Sequence, residues 1–175
     1  MSERKRGVVV GAGFAGMSVA KKLAGKDVDV VLIDKRNHHL FQPLLYQVAT
    51  ADLSPAEIAW PVRSIFSRSA NVSVFMGEVT GIDLDFKRII GGDRELGYDY
   101  LVLATGAVTS YFGKNHWARS APGLKNISEA TDIRKRLLLA FERAENSEDE
   151  VEKRKLLNFV VVGGGPTGVE MAGAI

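Results

Sequence analysis

Residues 8–20 read VVVGAGFAGMSVA, and residues 160–172 read VVVGGGPTGVEMA. The two stretches match at seven of thirteen positions at an offset of 152. Each sets three valines before Gly-x-Gly-x-x-Gly, and each places an alanine four residues after the last glycine. An unbroken β-branched run suits a strand buried on both faces. The glycine spacing suits a tight turn that opens into a helix. The offset is domain-sized, so the repeat indicates two related units rather than a solenoid.

Strand, glycine loop and helix in this order begin a dinucleotide-binding βαβ unit. Gly11 and Gly163 allow the tight turn, Gly13 and Gly165 leave room for a pyrophosphate, and Gly16 and Gly168 let the helix approach the strand. Phe14 and Ala15 in the first loop, and Pro166 and Thr167 in the second, complete the cofactor-binding positions. There the helix offers free N–H groups and the positive end of its dipole to phosphates. With 18 glycines in 175 residues, one such triplet is a weak signal. Two triplets, each directly after Val-Val-Val, are a specific one.

The first unit reads as complete: a strand over Gly7–Val10, a helix from Phe14 to about Gly25, and a second strand over Val28–Ile33 that ends at Asp34. Asp34 lies 18 residues after Gly16, where a carboxylate can accept hydrogen bonds from ribose hydroxyls. The plain alternative is a surface carboxylate at a strand end. Lys35 and Arg36 follow at once and suggest either a phosphorylated ribose or, as the preferred reading, ordinary charges on the rim of the same site. Ser54-Pro55-Ala56-Glu57 is a capping box with proline at the first helical position, which predicts a helix that Pro61 kinks or breaks. Val72–Phe75, Glu78–Leu84 and Arg88–Ile90 read as short strands, and Tyr100–Ala104 as another buried strand ending at Thr105-Gly106. Ser128 is the expected cap of a helix running to about Asn146, with Leu137, Leu138, Phe141 and Ala144 on its apolar face. Glu145–Lys155 reads as a solvated helix or linker. Phe159–Val162 reads as a core-type strand, followed by the second glycine loop and a helix start.

The expected class is α/β. A Rossmann-like domain over residues 1–157 carries a parallel sheet with a small antiparallel insertion, and the first strand, loop and helix of a second Rossmann unit occupy 158–175. No further strand or acidic ribose residue follows the second loop, so the chain is expected to be an amino-terminal piece of a larger two-nucleotide protein.

Composition narrows the field. At 46% hydrophobic and 25% charged residues the chain is an ordinary globular one, which excludes disorder and a mostly membrane-embedded fold. A net charge of +2 gives no reason to invoke nucleic acid. The absence of cysteine excludes disulfides, thiolate metal sites and a redox thiol pair within these residues. No apolar run approaches the roughly 20 residues of a membrane span, and the amino terminus lacks the apolar stretch of a signal peptide. His38 and His39 are adjacent and so point in different directions, with no carboxylate or cysteine at ligand spacing. No metal site is expected. Trp60 and Trp117 read as packing residues.

Tyr98–Ala107, an apolar strand ending in Ala104-Thr105-Gly106, resembles the second flavin motif of flavoproteins with two dinucleotide-binding domains. First loop, acidic strand end, Ala-Thr-Gly and second loop together resemble the FAD-dependent pyridine-nucleotide oxidoreductases. In that family the first loop holds FAD and the second begins an inserted NAD(P)H domain. A narrower resemblance follows from residues 34–66, DKRNHHLFQPLLYQVATADLSPAEIAWPVRSIF, above all FQPLLYQVA, and from GGGPTGVEMAG at 163–173. These are similar to the amino-terminal part of type II NADH dehydrogenases, which are NADH:quinone oxidoreductases. The resemblance implies FAD and NADH as cofactors and a membrane quinone as acceptor. It makes Tyr46 and Gln47 candidates to line the flavin or quinone side, against a packed aromatic and a capping amide as the plain alternative. It places Glu170 near the junction of flavin, nicotinamide and quinone, against an acid favoured by the helix dipole. It brings the backbone of Val79 to the adenine and that of Gly106 to the cofactor.

The same resemblance implies an enzyme peripheral on the cytoplasmic face of the inner membrane, held there by a carboxy-terminal region, with these 175 residues soluble and inactive by themselves. The lack of cysteine disfavours disulfide reductases of the glutathione-reductase type. Reductases of iron–sulfur proteins, sulfide:quinone oxidoreductases and a non-catalytic nucleotide-binding module remain alternatives. The open strand at 159–162 is expected to promote self-association, so a homo-oligomer is open as well.

Overall fold

A computed structural model describes residues 4–92 and 94–175. The chain divides into two compact units, Met1–Leu40 with Ala59–Ala107, and Phe41–Ile58 with Val108–Ile175. The first unit holds strands β1 (Arg6–Val10), β2 (Asp29–Asp34), β3 (His38–Leu40), β4 (Ala59–Pro61), β5 (Val72–Met76), β6 (Gly81–Asp83), β7 (Arg88–Gly91), β8 (Arg94–Gly97) and β9 (Tyr100–Leu103). It also holds helices α1 (Phe14–Leu23) and α3 (Val62–Ile65), while α2 (Leu45–Ala49), α4 (Ile127–Glu145), α5 (Glu150–Leu156) and α6 (Pro166–Ala174) belong to the second.

The main sheet has the order β5-β2-β1-β9 and is parallel throughout. Its centre is the first valine run. Val9 faces one side, where it joins Met17 and Ala20 of α1, Val30, Leu32, Val62 and Phe66. Val8 and Val10 face the other, with Val31, Ile33 and Ile89. The antiparallel sheet β6-β7-β8 supplies Ile89 and Leu96 to that second face. A strand covered on both sides needs no polar alternation, which is why three consecutive valines fit here. β1 has β2 on one side and β9, from much later in the chain, on the other. The connection therefore reverses direction beside β1, and in open parallel sheets ligands bind at the carboxyl ends of the strands at such a point.

The capping box at Ser54 forms as expected: Ser54 N donates to Glu57 Oε2 at 2.7 Å and Ala56 N donates to Ser54 Oγ at 3.4 Å. It caps only a single 3₁₀ turn, Pro55–Glu57, and not the predicted helix. Ile58 is fully buried, and Ala59–Pro61 then pair antiparallel with His38–Leu40. Trp60 precedes proline, a position that disfavours helix and suits a strand. The pair β3–β4 and the charged strand β8 carry no periodicity that reveals them in sequence. Glu78–Leu84 shortens to Gly81–Asp83.

In the second unit, α2 buries Leu45, Val48 and Ala49 and packs beside α4 and α6. The cap of α4 is Asn126 rather than Ser128. Asn126 Oδ1 accepts from Glu129 N at 2.9 Å, and Glu129 Oε2 accepts from Lys125 N at 2.6 Å. Asparagine is as good a cap as serine, and the returning Glu129 decides the register. The buried line of α4 is Ala130 and Ala144, whereas Leu138 and Phe141 are each 48% exposed, so the predicted apolar face is only partly covered. Trp60 and Trp117 are likewise half-exposed rather than packed.

Phe159–Val162 does not form the predicted strand, and Val160 and Val162 are exposed. A short apolar run becomes a strand only with a ladder partner, and the four paired strands of the main sheet all come from the first unit. Phe159 instead meets the ring of Phe141, 5.6 Å between centroids.

Candidate dinucleotide sites

The three glycines of the first loop have three different surroundings. Gly11 has φ +107°, a conformation that side chains rarely adopt, and its N–H donates to Ile33 O at 2.7 Å. A β-carbon on it would run into the carbonyl of Ala104 and come within 3.2 Å of Thr105 N. Gly11 thus sits where the end of β1 meets Ala104-Thr105-Gly106 at the end of β9. Gly16 lies on the other side of the loop, where a β-carbon would strike the Gly11 carbonyl and crowd Val9 Cγ1 at 3.3 Å. Gly13 has neither constraint. Its φ of −74° and ψ of −166° suit any residue, and no atom beyond its two chain neighbours lies within 4 Å of a β-carbon placed there. It is the N-cap of α1, a helix with no side-chain cap and no acid in its first turn.

The Asp34 side chain is largely buried, 12% exposed, at the end of β2. Its Oδ2 accepts from Ala12 N at 2.7 Å and its Oδ1 from Arg36 N at 2.8 Å, with Arg36 Nε 3.8 Å from the same oxygen. The carboxylate therefore holds the glycine loop from below. His39, on β3, holds it from another direction: Nδ1 lies 2.8 Å from Ala12 O. The ring of Phe14 meets His39 edge-on, 5.4 Å between centroids at 85°. The sequence reading missed this role of His39, because nothing in the His38-His39 pair announces a contact 27 residues away. Burial and the Arg36 charge hold the His38 imidazole below its ordinary pKa, partly offset by Asp34.

Lys35 stands at the rim, 4.0 Å from the Glu78 carboxylate, with both side chains exposed. Val79 packs against the Val8 and Val10 side of the core. Gly106 has φ +74° and open space where a β-carbon would stand.

The second loop repeats the backbone of the first. Gly163 has φ +112°, and a β-carbon on Gly168 would strike the Gly163 carbonyl and meet Val161 Cγ1 at 3.6 Å. Gly165 caps α6 at φ −76° and ψ 175°, with open space around it. Val169 N donates to Gly165 O at 3.1 Å, as Met17 N does to Gly13 O at 3.0 Å. Pro166 occupies the first turn of α6, with Thr167 after it, and no side chain caps the helix.

Tyr46 and Gln47 are half-buried on α2, where Gln47 Nε2 donates to Tyr46 Oη at 3.3 Å. The Gln47 carbonyl accepts from Asp52 N at 2.8 Å and Leu53 N at 3.1 Å, which fixes the turn after the helix. Glu170 is exposed on α6, the neighbour of α2, so this unit brings the elements of all three residues together. Among the described residues no group of three His, Cys, Asp or Glu could hold a metal ion, and no helix is long and apolar enough to cross a membrane.

Comparison with known proteins adds three findings. A family profile described as pyridine nucleotide-disulphide oxidoreductase matches residues 5–175. The type II NADH:quinone oxidoreductases Ndh and NdhA of Mycobacterium tuberculosis are 51% and 49% identical over 98% of this chain. The structure of NDH2 from Plasmodium falciparum in complex with NADH superposes with a TM-score of 0.88 at 30% identity, over 98% of this chain. The chain spans 38% and 37% of the two bacterial proteins and 37% of the Plasmodium chain.

Proposed function

This chain belongs to the pyridine nucleotide-disulphide oxidoreductase family, and we propose that the protein containing it is a type II NADH:quinone oxidoreductase. The proposed FAD site is the first glycine loop with Asp34, Lys35, Val79 and Ala104-Thr105-Gly106. Residues 1–157 form part of the FAD domain on this reading, and residues 158–175 open the NADH domain. When bound, FAD supplies the redox chemistry between NADH and the quinone.

One observation carries the reading: Gly13. The fold has no need of glycine there, because the backbone angles suit any residue and no atom beyond its two chain neighbours lies within 4 Å of a β-carbon. Such a glycine, capping a helix with no side-chain cap, fits a loop that a pyrophosphate must approach closely. Gly165 repeats the argument in the second loop for NADH. The Asp34 carboxylate accepts one N–H on each oxygen, and each oxygen retains a lone pair for a ribose hydroxyl.

Glu170 on α6 and Tyr46 and Gln47 on the neighbouring α2 are the proposed polar groups that position nicotinamide and quinone. The 51% identity to a type II NADH:quinone oxidoreductase supports the quinone as acceptor. A place on the cytoplasmic face of the inner membrane, with attachment through residues outside this chain, belongs to the same proposal.

The test is Gly13→Val in the full-length protein. A folded variant, by circular dichroism, that has lost its bound flavin is the expected result. Normal flavin content in a folded variant would overturn the assignment.

A further inference from the structure

The hydrogen bonds around Ala12 form a two-sided clamp. Asp34 Oδ2 takes the N–H of the peptide before Ala12 at 2.7 Å, and His39 Nδ1 meets the carbonyl of the peptide after it at 2.8 Å. That second peptide joins Ala12 to Gly13. A trans peptide is planar, so a carbonyl turned toward His39 turns the Gly13 N–H the opposite way. The described chain holds no cis peptide that would alter this. The partner of His39 Nδ1 is a carbonyl, which can only accept, so Nδ1 must carry the proton.

We propose that His39 is a positioning residue: by donating from Nδ1 to the Ala12 carbonyl it fixes the Ala12–Gly13 peptide so that the Gly13 N–H faces the cofactor phosphates. This rests on the reading of the first loop as the FAD site. Gly13 cannot hold this orientation by itself, because glycine has the widest choice of backbone angles and no side chain of its own to pack. Asp34 fixes only the preceding peptide. The edge-on ring of Phe14, 5.4 Å away, keeps the imidazole facing the loop.

The test uses the full-length protein stripped of flavin and titrated with FAD, read by quenching of flavin fluorescence. His39→Phe keeps a ring beside Phe14 and removes the donor. His39→Asn places an amide N–H near the position of Nδ1. His39→Phe is expected to bind FAD about tenfold more weakly, the loss of one well-placed hydrogen bond. His39→Asn is expected to stay within about threefold of wild type. Nitrogen NMR of the flavin-free protein should show the His39 proton on Nδ1.

Equal affinity of His39→Phe and wild type would overturn the proposal. So would equal losses in the two variants, which would mark His39 as packing only, and so would a proton on Nε2 alone. A wild-type protein that takes up no FAD would overturn the FAD reading as well. The clamp fails alone if wild type and His39→Phe load equally.

Discussion

Gly16 lies against the carbonyl oxygen of Gly11 with no room for a methyl group between them. Gly168 and Gly163 repeat the relationship in the second loop. The obstacle is backbone on both sides, so a side chain cannot simply rotate away. Gly16→Ala should therefore push α1 off β1 and destabilise the protein by about 2–3 kcal/mol. Gly13→Ala meets no chain atom and should stay within about 1 kcal/mol of wild type, a residual cost that reflects alanine as a poor N-cap. Urea unfolding of the two variants tests the contrast. Equal stabilities would mean that the loop gives way more readily than its geometry indicates.

Asn71 ties the end of α1 to the start of β2. Its Oδ1 accepts from Gly25 N at 2.8 Å, and its Nδ2 lies within 3.2 Å of the carbonyls of Leu23, Lys26 and Val28. Asn71→Ala strands part-buried backbone groups and should cost about 2–3 kcal/mol. Asn71→Asp keeps the acceptor but loses the donors and brings a carboxylate toward three carbonyls, so it should be no better. Thermal unfolding distinguishes these outcomes from a neutral surface substitution, and a change under 0.5 kcal/mol would show that water replaces the asparagine.

The contrast between Asn71 and Gly13 shows what sequence can reveal. The glycine spacing is a local, repeated pattern with one physical reason per position, and β1, α1 and β2 follow from it within a residue or two, while β5 and β9 follow from their own apolar runs. Asn71 and His39 act through partners far along the chain, and neither type nor spacing marks them. The helix expected after Ser54 failed for a related reason: its cap is local and correct, but the burial of Ile58 and the pairing of β4 with β3 are long-range. The valines at 160–162 carry the same local signal as those at 8–10, yet only the first run has strands on both sides.

His38 gives stability a dependence on pH. Its folded pKa is below the ordinary value of 6.5, because burial and Arg36 disfavour the charged ring. As pH falls through 6.5 the unfolded chain takes up a proton that the folded chain still refuses, so stability falls with pH in that window. Below the folded pKa both states are protonated and the slope from this group disappears. His38→Gln should flatten the stability profile just below pH 6.5 and leave it unchanged near pH 8. An unaltered slope would assign the effect to other groups.

Glu170 is exposed on α6, where a charge removed costs the fold little. Glu170→Gln keeps the shape of the side chain. In the full-length protein it should lower steady-state turnover with NADH and quinone at least about tenfold while the unfolding midpoint stays the same, the pattern of a group that acts on the reaction rather than on the fold. Unchanged rates would leave the carboxylate as an acid near a helix start and nothing more.

These 175 residues expressed by themselves should hold FAD poorly, fail to oxidise NADH at a useful rate, and self-associate. β9 is an edge of the main sheet, and Tyr100 and Leu103 on it are 62% and 59% exposed. Val160 and Val162, at 80% and 81%, add a second apolar stretch without ladder partners among the described residues. An open parallel edge and exposed valines are surfaces that another copy of the chain can cover. The chain spans 38% of a relative's length, so on the proposed reading part of the flavin contacts lies outside it, and losing contacts worth about 4 kcal/mol weakens binding roughly a thousandfold. Size-exclusion chromatography with light scattering reads the self-association, and the flavin absorbance of the same peak reads the cofactor. A monomeric yellow protein with one tightly held FAD per chain would show that the first glycine loop, Asp34 and Ala104-Thr105-Gly106 suffice to hold the cofactor without the rest.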